Sequence, residues 1–232
     1  MSDHDRLWIP GPTEVFPEVR EALARPMIGH RGKGFTALYQ RLLPKVKRLL
    51  GAEGPEAKGR VFLVSSSATG VMEGAMRNCV AKRVLVATCG AFSERWLEIA
   101  RANGKEADPL AVEWGKGIHP EMVEKALGTG RYDAFALVHN ETSTGVMNPL
   151  PEIAATVRKF PEVLFLVDAV SSMAGVEILP GKLGLDVCLA GTQKCFAMPP
   201  GLTVAYVSDR ALARAATLPA RGAYFDFVEF AK

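Results

Sequence analysis

The stretch that decides the fold is Val187-Cys-Leu-Ala-Gly-Thr-Gln-Lys-Cys-Phe-Ala-Met-Pro-Pro-Gly201. It opens on an apolar run of strand length, and Lys194 then lies among small residues, two prolines and a glycine. A stiff loop at the end of a buried strand would hold the Lys194 amine at the mouth of a packed sheet, partly shielded from water. Because desolvation disfavours the ammonium form, we expect an amine that can condense with an aldehyde.

Asp168 ends a second apolar run, Val163-Leu-Phe-Leu-Val-Asp168, so its carboxylate is predicted to lie at a similar depth. Taken singly, the two residues are more simply explained as a loop lysine and an aspartate at a strand end. Together, a lysine that forms a Schiff base and an aspartate that faces a pyridinium nitrogen are what pyridoxal phosphate requires of a protein. The two stretches therefore favour a pyridoxal-phosphate site.

The composition is that of a globular protein, with 48% hydrophobic and 23% charged residues, and 232 residues suffice for one sizeable domain. A net charge of +3 is too small to favour nucleic acid as a partner. The sequence has no apolar stretch near the roughly 20 residues of a membrane span. Its first residues also lack the pattern of a signal peptide, so we expect no membrane partner.

Cysteine and histidine usage argues against a metal centre. The four histidines are scattered, and the four cysteines show no C-x-x-C spacing. We interpret the cysteines as reduced thiols of a cytoplasmic protein, and expect neither disulfides nor a metal site. The cysteines are Cys79, Cys89, Cys188 and Cys195.

Short apolar runs alternate with amphipathic stretches along the chain. Uninterrupted runs separated by helices predict an α/β fold, a mostly parallel sheet with helices on both faces. The predicted strands are 61–64, 84–87, 107–112, 134–138, 163–167, 187–190 and 203–207. The predicted helices are 35–50, 71–80, 92–103, 120–127, 151–159 and a last one beginning at 208–209. The first of these helices would place Leu38, Leu42, Val46 and Leu49 on one face.

The domain organisation is simple. Residues 1–30 are predicted to form an extended N-terminal arm, because the prolines and glycine of Trp8-Ile-Pro-Gly-Pro-Thr13 break a helix. Residues 31–232 are predicted to form a single ligand-binding domain. The arm is apolar at Leu7, Trp8 and Ile9 and is unsuited to lie free in water, so we expect a homodimer.

Ligands of such sheets bind beyond the carboxyl ends of the strands. The first strand is followed by Ser65-Ser-Ser-Ala-Thr-Gly70, which suits a phosphate at a helix N-terminus or forms a plain helix cap. Phe92 follows the second strand, where it can stack on a ring or belong to the core. The polar run His139-Asn-Glu-Thr-Ser-Thr-Gly145 follows a later strand, and Asp168 and Lys194 follow others. Five strand ends thus supply one cofactor-sized set of groups.

These motifs carry a family resemblance over essentially the whole chain. In order they are Gly-Pro-Thr13, Ser-Ala-Thr-Gly-Val-Met-Glu73, Gly-Ala-Phe-Ser-Glu-Arg95, His-Asn-Glu-Thr-Ser-Thr-Gly145, Val-Asp-Ala-Val-Ser171 and Gly-Thr-Gln-Lys194. The chain resembles the alanine–glyoxylate and serine–pyruvate aminotransferases, class V enzymes that use pyridoxal 5'-phosphate and have the aspartate-aminotransferase-like fold. The resemblance implies amino acids and 2-oxo acids as substrates.

The resemblance also implies roles for single residues. Lys194 would carry the Schiff base and move the proton at the substrate α-carbon, and Asp168 would pair with the pyridine nitrogen. Phe92 and Val170 would pack on opposite faces of the ring, and Thr142 would face its hydroxyl group. The phosphate would be held by Ala68, Thr69 and Gln193, with the Ser67 hydroxyl as a further donor.

Members of this family have a smaller C-terminal domain, and the resemblance implies that this domain is absent here. Its arginine grips the substrate carboxylate, so we expect cofactor binding with poor sustained turnover. After Lys194 the arginines are Arg210, Arg214 and Arg221, and the first two are assigned to the solvated face of the last helix.

Three alternatives concern the reaction. His30-Arg31 is similar to a pair that binds the substrate phosphate in phosphoserine aminotransferases, although a structural pair explains it equally. Alanine or serine as donor, with glyoxylate or pyruvate as acceptor, is preferred over phosphoserine. Cysteine desulfurases share the fold but need a nucleophilic cysteine on a loop beyond residue 232. The third alternative is that the chain is a truncated cofactor-binding protein without sustained turnover.

Overall fold

The computed structural model describes residues 5–54 and 57–232. Its helices are α1 (Pro17–Leu23), α2 (Lys33–Leu49), α3 (Ala68–Cys79), α4 (Ala91–Ala102), α5 (Pro120–Leu127), α6 (Leu150–Val157), α7 (Pro180–Leu183), α8 (Asp209–Thr217) and α9 (Phe227–Phe230). Its strands are β1 (Gly59–Ser65), β2 (Arg83–Thr88), β3 (Glu106–Ala111), β4 (Ala134–Val138), β5 (Asn140–Glu141), β6 (Val146–Met147), β7 (Leu164–Asp168), β8 (Val187–Gly191) and β9 (Leu202–Ser208). Within the described residues, no helix has both the length and the apolar character needed to cross a membrane.

Seven strands form one sheet in the order β1-β9-β8-β7-β4-β2-β3. Strands β8, β7, β4, β2 and β3 pair in parallel, and β9 is antiparallel to both of its neighbours. Because β1 is antiparallel to β9, it points in the common direction, and β9 alone runs against the other six. The predicted α/β fold with a mostly parallel sheet is confirmed. Strands β5 and β6 form a separate small ribbon.

Helices cover both faces of the sheet, which explains why the strands are apolar without interruption. Successive residues of β7 alternate between two buried clusters, with Phe165 in one and Leu166 in the other. The first cluster includes residues of α5 and α6, and in it Phe135 stacks on Phe165 with 5.3 Å between ring centroids. The second includes residues of α3, α4 and α8. Asp168 continues the second set, so its side chain faces α4.

The strand register brings the predicted strand ends side by side. Asp168 lies opposite Val138 on one side and opposite Leu189 on the other. Gly191 at the end of β8 lies opposite Thr203 near the start of β9. Because six strands end at this edge, the loops that follow them share one border of the sheet.

The sequence predicted an extended arm over residues 1–30, but the arm is not extended throughout. Residues 17–23 form the helix α1, and the prediction failed because Pro17 occupies the first helical position, where proline is favoured. The prediction for residues 1–4 lies outside the described residues.

Helix α2 forms where the periodicity predicts it, but its predicted apolar face is not buried. Leu38, Leu42 and Leu49 are each about two-fifths exposed (42%, 40% and 42%). Of the four predicted residues only Val46 packs against the first core cluster, together with the neighbouring Leu43. The apolar stripe of α2 therefore has no cover within the described chain.

The end of the chain agrees with the prediction at α8 and differs from it after that helix. Ser208 caps α8 as expected, its hydroxyl accepting from the Ala211 backbone N–H at 2.9 Å. A further single-turn helix, α9, follows, and periodicity does not reveal a helix so short. Its start is fixed by the Asp226 carboxylate, which accepts from the backbone N–H of Val228 at 2.9 Å.

Arg210 is exposed, as predicted, and Arg214 is half-buried, but neither is a free surface charge. Arg210 Nε donates to Oδ1 of the buried Asp186 at 3.0 Å, and Arg210 also donates to the Val163 carbonyl at 2.9 Å. Arg214 Nη1 lies 3.6 Å from an Asp133 carboxylate oxygen. Both arginines bind groups that precede β4, β7 and β8, because one face of α8 crosses the amino ends of these strands.

Candidate active site

A cavity of about 350 Å³ lies at the carboxyl edge of the sheet. Its volume is at the lower end of the roughly 300–1,000 Å³ typical of small-molecule sites. All of the residues predicted from the sequence line it, and these are Ser67, Ala68, Thr69, Phe92, Thr142, Asp168, Val170, Gln193 and Lys194. The lining also includes residues that the sequence did not predict, among them Gly11 and Pro12 of the arm and Arg95 of α4.

Asp168 places a buried carboxylate at the floor of the cavity, with 3% of the residue exposed. Its Oδ1 accepts from the Val170 backbone N–H at 2.8 Å, and its Oδ2 accepts from the Trp96 indole N–H at 3.1 Å. Burial raises the pKa of Asp168 to about 6, although both hydrogen bonds act to lower it. A cation in the cavity would therefore stabilise the charged form.

Trp96 was not predicted as a site residue. It is fully buried and lies four residues after Phe92, one turn further along α4. That spacing puts both aromatic side chains on one face of the helix. The sequence could therefore have indicated that Trp96 lies near Phe92 at the site. The partner of its indole N–H, Asp168, is 72 residues away, and the helical periodicity does not indicate it.

Lys194 brings an amine into the same cavity from the loop after β8. Its Nζ donates to the Pro10 carbonyl of the arm at 2.8 Å. Burial lowers the pKa of Lys194, and the neighbouring Cys195 and Asp168 oppose this shift. The amine is thus more easily deprotonated than that of an ordinary surface lysine, as a nucleophilic amine requires.

The N-terminus of α3 forms the polar end of the cavity. Ser67 stands at the N-cap position, but its side chain makes no capping hydrogen bond. The plain-cap interpretation of this segment therefore fails for Ser67. Its hydroxyl and the backbone N–H groups of Ala68 and Thr69 are left for a ligand, whereas the Gly70 N–H donates to the Ser67 carbonyl at 3.0 Å. A helix N-terminus with free N–H groups and hydroxyls beside it suits a phosphate.

Phe92 is held at the start of α4 by a carboxylate from another segment. Glu141 accepts from the backbone N–H groups of Phe92 at 3.2 Å and Ser93 at 2.8 Å, and the Ser143 hydroxyl donates to it at 2.7 Å. Burial alone would raise the pKa of Glu141, but these hydrogen bonds outweigh it and the pKa is lowered. Glu141 was not predicted, although it lies in the polar run after β4.

A glycine permits this approach of Glu141 to α4. A Cβ atom at Gly90 would lie 2.5 Å from Cγ of Glu141, closer than two such atoms can approach. The start of helix α4, and with it Phe92 and Trp96, is therefore fixed by this tertiary contact in addition to a local cap, in which the Ser93 hydroxyl accepts from the Gly90 backbone N–H at 3.0 Å.

Hydroxyl and amide groups line the remaining wall. Ser171 Oγ accepts from Thr142 Oγ1 and from Asn140 Nδ2, each at 2.9 Å. His139 lies behind this wall and does not line the cavity; its Nδ1 is 3.0 Å from Ser172 Oγ. Burial lowers the pKa of His139 to about 4, so it is a neutral structural residue at neutral pH.

Two further expectations concern residues elsewhere. His30 and Arg31 are exposed and do not line the cavity, so the phosphate-binding interpretation of that pair gains no support. Within the described ranges, 5–54 and 57–232, no cluster of three or more histidine, cysteine, aspartate or glutamate side chains could hold a metal ion.

The donor set fits an aromatic aldehyde that carries a phosphate. Lys194 offers an amine to the aldehyde, Asp168 a carboxylate to a basic ring nitrogen, and the N-terminus of α3 offers N–H donors to the phosphate. Phe92 and Val170 line the cavity between these groups, where a flat ring would pack.

Comparison with known proteins shows that the chain is similar to aminotransferases. An uncharacterized aminotransferase of Methanocaldococcus jannaschii is 41% identical over 210 residues, which cover 88% of this chain and 52% of that protein. Among solved structures, an aspartate aminotransferase of subgroup IV from Thermus thermophilus is 36% identical with a TM-score of 0.86, and the match covers 97% of this chain and 62% of that chain. Alanine–glyoxylate aminotransferase from Nostoc sp. is 30% identical with a TM-score of 0.90, covering 100% and 62%.

The chain thus spans about half to three-fifths of the length of these relatives. Their fold agrees with the aspartate-aminotransferase-like fold that the resemblance implied, and the predicted class is confirmed. The family model for class-V aminotransferases matches residues 14–232, and the chain belongs to that family.

Proposed function

We propose that this chain binds pyridoxal 5'-phosphate and forms the cofactor-binding part of an aminotransferase. In this proposal an amino group passes from alanine or serine to a 2-oxo acid such as glyoxylate or pyruvate. The observation that carries the proposal is the shared cavity of the Lys194 amine, the Asp168 carboxylate and the N-terminus of α3. Membership of the class-V family supports it.

Pyridoxal 5'-phosphate supplies an aldehyde that takes up the amino group and a ring that withdraws electrons from the substrate α-carbon. Asp168 would hold the ring nitrogen by a charge-assisted hydrogen bond and keep it protonated, which would strengthen that withdrawal. Lys194, whose pKa burial lowers, would hold the aldehyde and would move the proton at the substrate α-carbon. The hydroxyls of Ser67 and Thr69 and the N–H groups of α3 anchor the phosphate.

Arg95 is the residue we assign to the substrate carboxylate within this chain. Apart from Lys194 it is the one cationic side chain among the described residues that line the cavity. Its guanidinium carbon lies 5.3 Å from the centre of the Phe92 ring, and the described residues give it no ion-pair partner. The sequence predicted no carboxylate clamp after Lys194; Arg95, which precedes it in the chain, is the candidate that we propose.

The small number of cationic side chains in the cavity lining supports an amino donor with a single carboxylate group. If Arg95 takes the α-carboxylate, no other cationic side chain of the described lining remains for a second acidic group. Similar proteins named for alanine–glyoxylate and for aspartate transfer leave the donor open. His30 and Arg31 do not line the cavity of this chain, so the phosphoserine alternative gains no support from the described site.

The first test concerns the lysine. Incubation with pyridoxal 5'-phosphate should turn the protein yellow, and borohydride should then leave a pyridoxyl group on Lys194, located by peptide mass mapping. Lys194→Ala should lose the colour. Lys105→Ala is the matched control, because Lys105 is also a lysine whose pKa burial lowers and whose amine donates to a backbone carbonyl, that of Val80 at 2.7 Å. A pyridoxyl group on Lys105 or elsewhere would contradict the assignment.

The second test concerns the carboxylate. Asp168→Asn should weaken binding of pyridoxal 5'-phosphate by roughly 10- to 100-fold, because a hydrogen bond to a charged group contributes about 1.5–3 kcal/mol. Transamination should fall further, because the unprotonated ring withdraws electrons poorly. The control is Asp186→Asn, a buried aspartate at the opposite edge of the sheet, which should lower stability but leave cofactor affinity unchanged. Equal cofactor affinity and turnover in Asp168→Asn and the wild type would refute the role.

The third test concerns the substrates. We expect alanine and serine to convert the bound cofactor to its amine form faster than aspartate or phosphoserine, and glyoxylate to restore it faster than 2-oxoglutarate. The conversion is followed by absorbance in single-turnover experiments. Arg95→Ala should slow the step with alanine, and Arg95→Lys should recover part of the rate. Faster reaction with aspartate or phosphoserine would replace the proposed donor class.

We further propose that the chain forms a homodimer through the arm and α2. Large apolar side chains are exposed along these two segments, namely Leu7, Trp8, Ile9, Phe16, Leu23, Met27, Ile28, Phe35, Leu38 and Leu42. Large exposed apolar side chains concentrated in two segments that are close in the sequence are typical of interaction sites. A second copy is the proposed occupant, because the surface continues into the arm residues that line the cavity.

Sedimentation should therefore detect a dimer for the wild type. Leu38→Glu combined with Leu42→Glu should yield monomers, because charge is placed in the proposed interface. Met147→Glu is the control, since Met147 is an exposed apolar residue of β6 outside these segments. A monomeric wild type at all concentrations would rule out the dimer.

A further inference from the structure

Three hydrogen bonds fasten the N-terminal arm to the segment that carries Lys194. The Lys194 amine donates to the Pro10 carbonyl at 2.8 Å. Thr13 then binds twice, its backbone N–H to the Gln193 carbonyl at 3.0 Å and its hydroxyl to the Lys194 carbonyl at 3.1 Å. The residues between, Gly11 and Pro12, line the cavity. The arm therefore covers the amine and its backbone together.

Gly11 is the position where this cover is closest. A Cβ atom there would lie 2.5 Å from Cδ, 2.9 Å from Cε and 2.8 Å from Nζ of Lys194. The Gly11 φ angle of +139° is one that residues with a side chain rarely adopt. Any other residue would therefore displace either the arm or the lysine side chain.

We propose that residues 10–13 of the arm are a positioning element for Lys194. The Pro10 carbonyl accepts one hydrogen of the amine and fixes its orientation, Thr13 secures the arm to the loop, and Gly11 allows the close approach. This inference deepens the proposed function, since an amine held in one orientation in a partly water-free cavity is ready to attack an aldehyde.

The surroundings of the amine make the effect measurable by titration. The charged or titratable groups that act on Lys194 are Asp168 at the end of β7 and the adjacent Cys195. Arg95 of α4 faces the same cavity, and residues 10–13 carry no titratable side chain. The arm therefore acts on the lysine in two opposed ways: it excludes water, which lowers the pKa, and its Pro10 carbonyl accepts from the amine, which favours the charged form. Displacing the arm should raise the Lys194 pKa toward its ordinary value of about 10.4, because burial is the main cause that lowers it.

The test is trace labelling of amines with acetic anhydride across a pH series, without cofactor, with each lysine quantified by mass spectrometry. In Gly11→Ala and in Thr13→Val the labelling midpoint of Lys194 should move to higher pH. Its plateau rate should rise about 3- to 10-fold, the size expected from the loss of one hydrogen bond. Gly115→Ala is the matched control, because Gly115 also has a positive φ, +90°, but a Cβ there would meet nothing within 4 Å.

Lys105 serves as an internal reference in the same samples, because its amine is partly buried far from the arm. The proposal is overturned if Lys194 labels identically in the wild type, Gly11→Ala and Thr13→Val. It is equally overturned if Gly115→Ala shifts Lys194 as much, or if Lys105 shifts in parallel, since either result reports a general loss of structure. The labelling needs no cofactor, so the two proposals can fail separately. Unchanged labelling with a pyridoxyl group on Lys194 would overturn only the role of the arm. Shifted labelling without a pyridoxyl group on Lys194 would overturn only the proposed function.

Discussion

The common direction of six strands is the constraint on which this molecule depends. Parallel pairing of β8, β7, β4, β2 and β3 requires each connection to cross back over a face of the sheet, and helices do so on both faces. The carboxyl ends then meet at one edge, so a residue placed just after any of these strands is brought to the same site. Asp168 and Lys194 meet by this route, although neither contacts the other directly.

Burial in the site disfavours the charged forms of both Asp168 and Lys194. Burial raises the pKa of Asp168 to about 6, although two hydrogen bonds hold its carboxylate, and burial lowers the pKa of Lys194. Each shift shows that the charged form is less stable there than in water. In the proposed function a protonated ring nitrogen offsets the first cost, and the second cost is what makes the amine reactive. Perturbed groups of opposite type in one cavity are thus more informative than either residue alone.

Rigid support for these groups comes from outside the cavity. Glu141 caps α4 from another segment, α4 carries both Phe92 and Trp96, and the Trp96 indole N–H reaches Asp168 at 3.1 Å. The Phe92 ring and the Asp168 carboxylate are therefore positioned by the same helix. On the opposite side of the cavity the arm holds the Lys194 amine. The orientation of the site's groups thus depends on contacts between segments that are far apart in the sequence.

The sequence by itself determined the α/β class, the position of most helices and strands, and the chemistry of the residues at the strand ends. It could do so because burial on both faces makes a parallel strand apolar throughout, and because polar groups next to such strands stand out. Only the tertiary structure decided that the arm crosses Lys194, that Glu141 caps α4, that Arg95 lines the cavity and that Arg210 pairs with Asp186. Pro10 and Lys194 are 184 residues apart, and no local periodicity encodes such a contact. The apolar stripe of α2 was visible in the sequence, but whether it faces the chain's own core or its surface depends on how the helix docks, which is a property of the packed molecule.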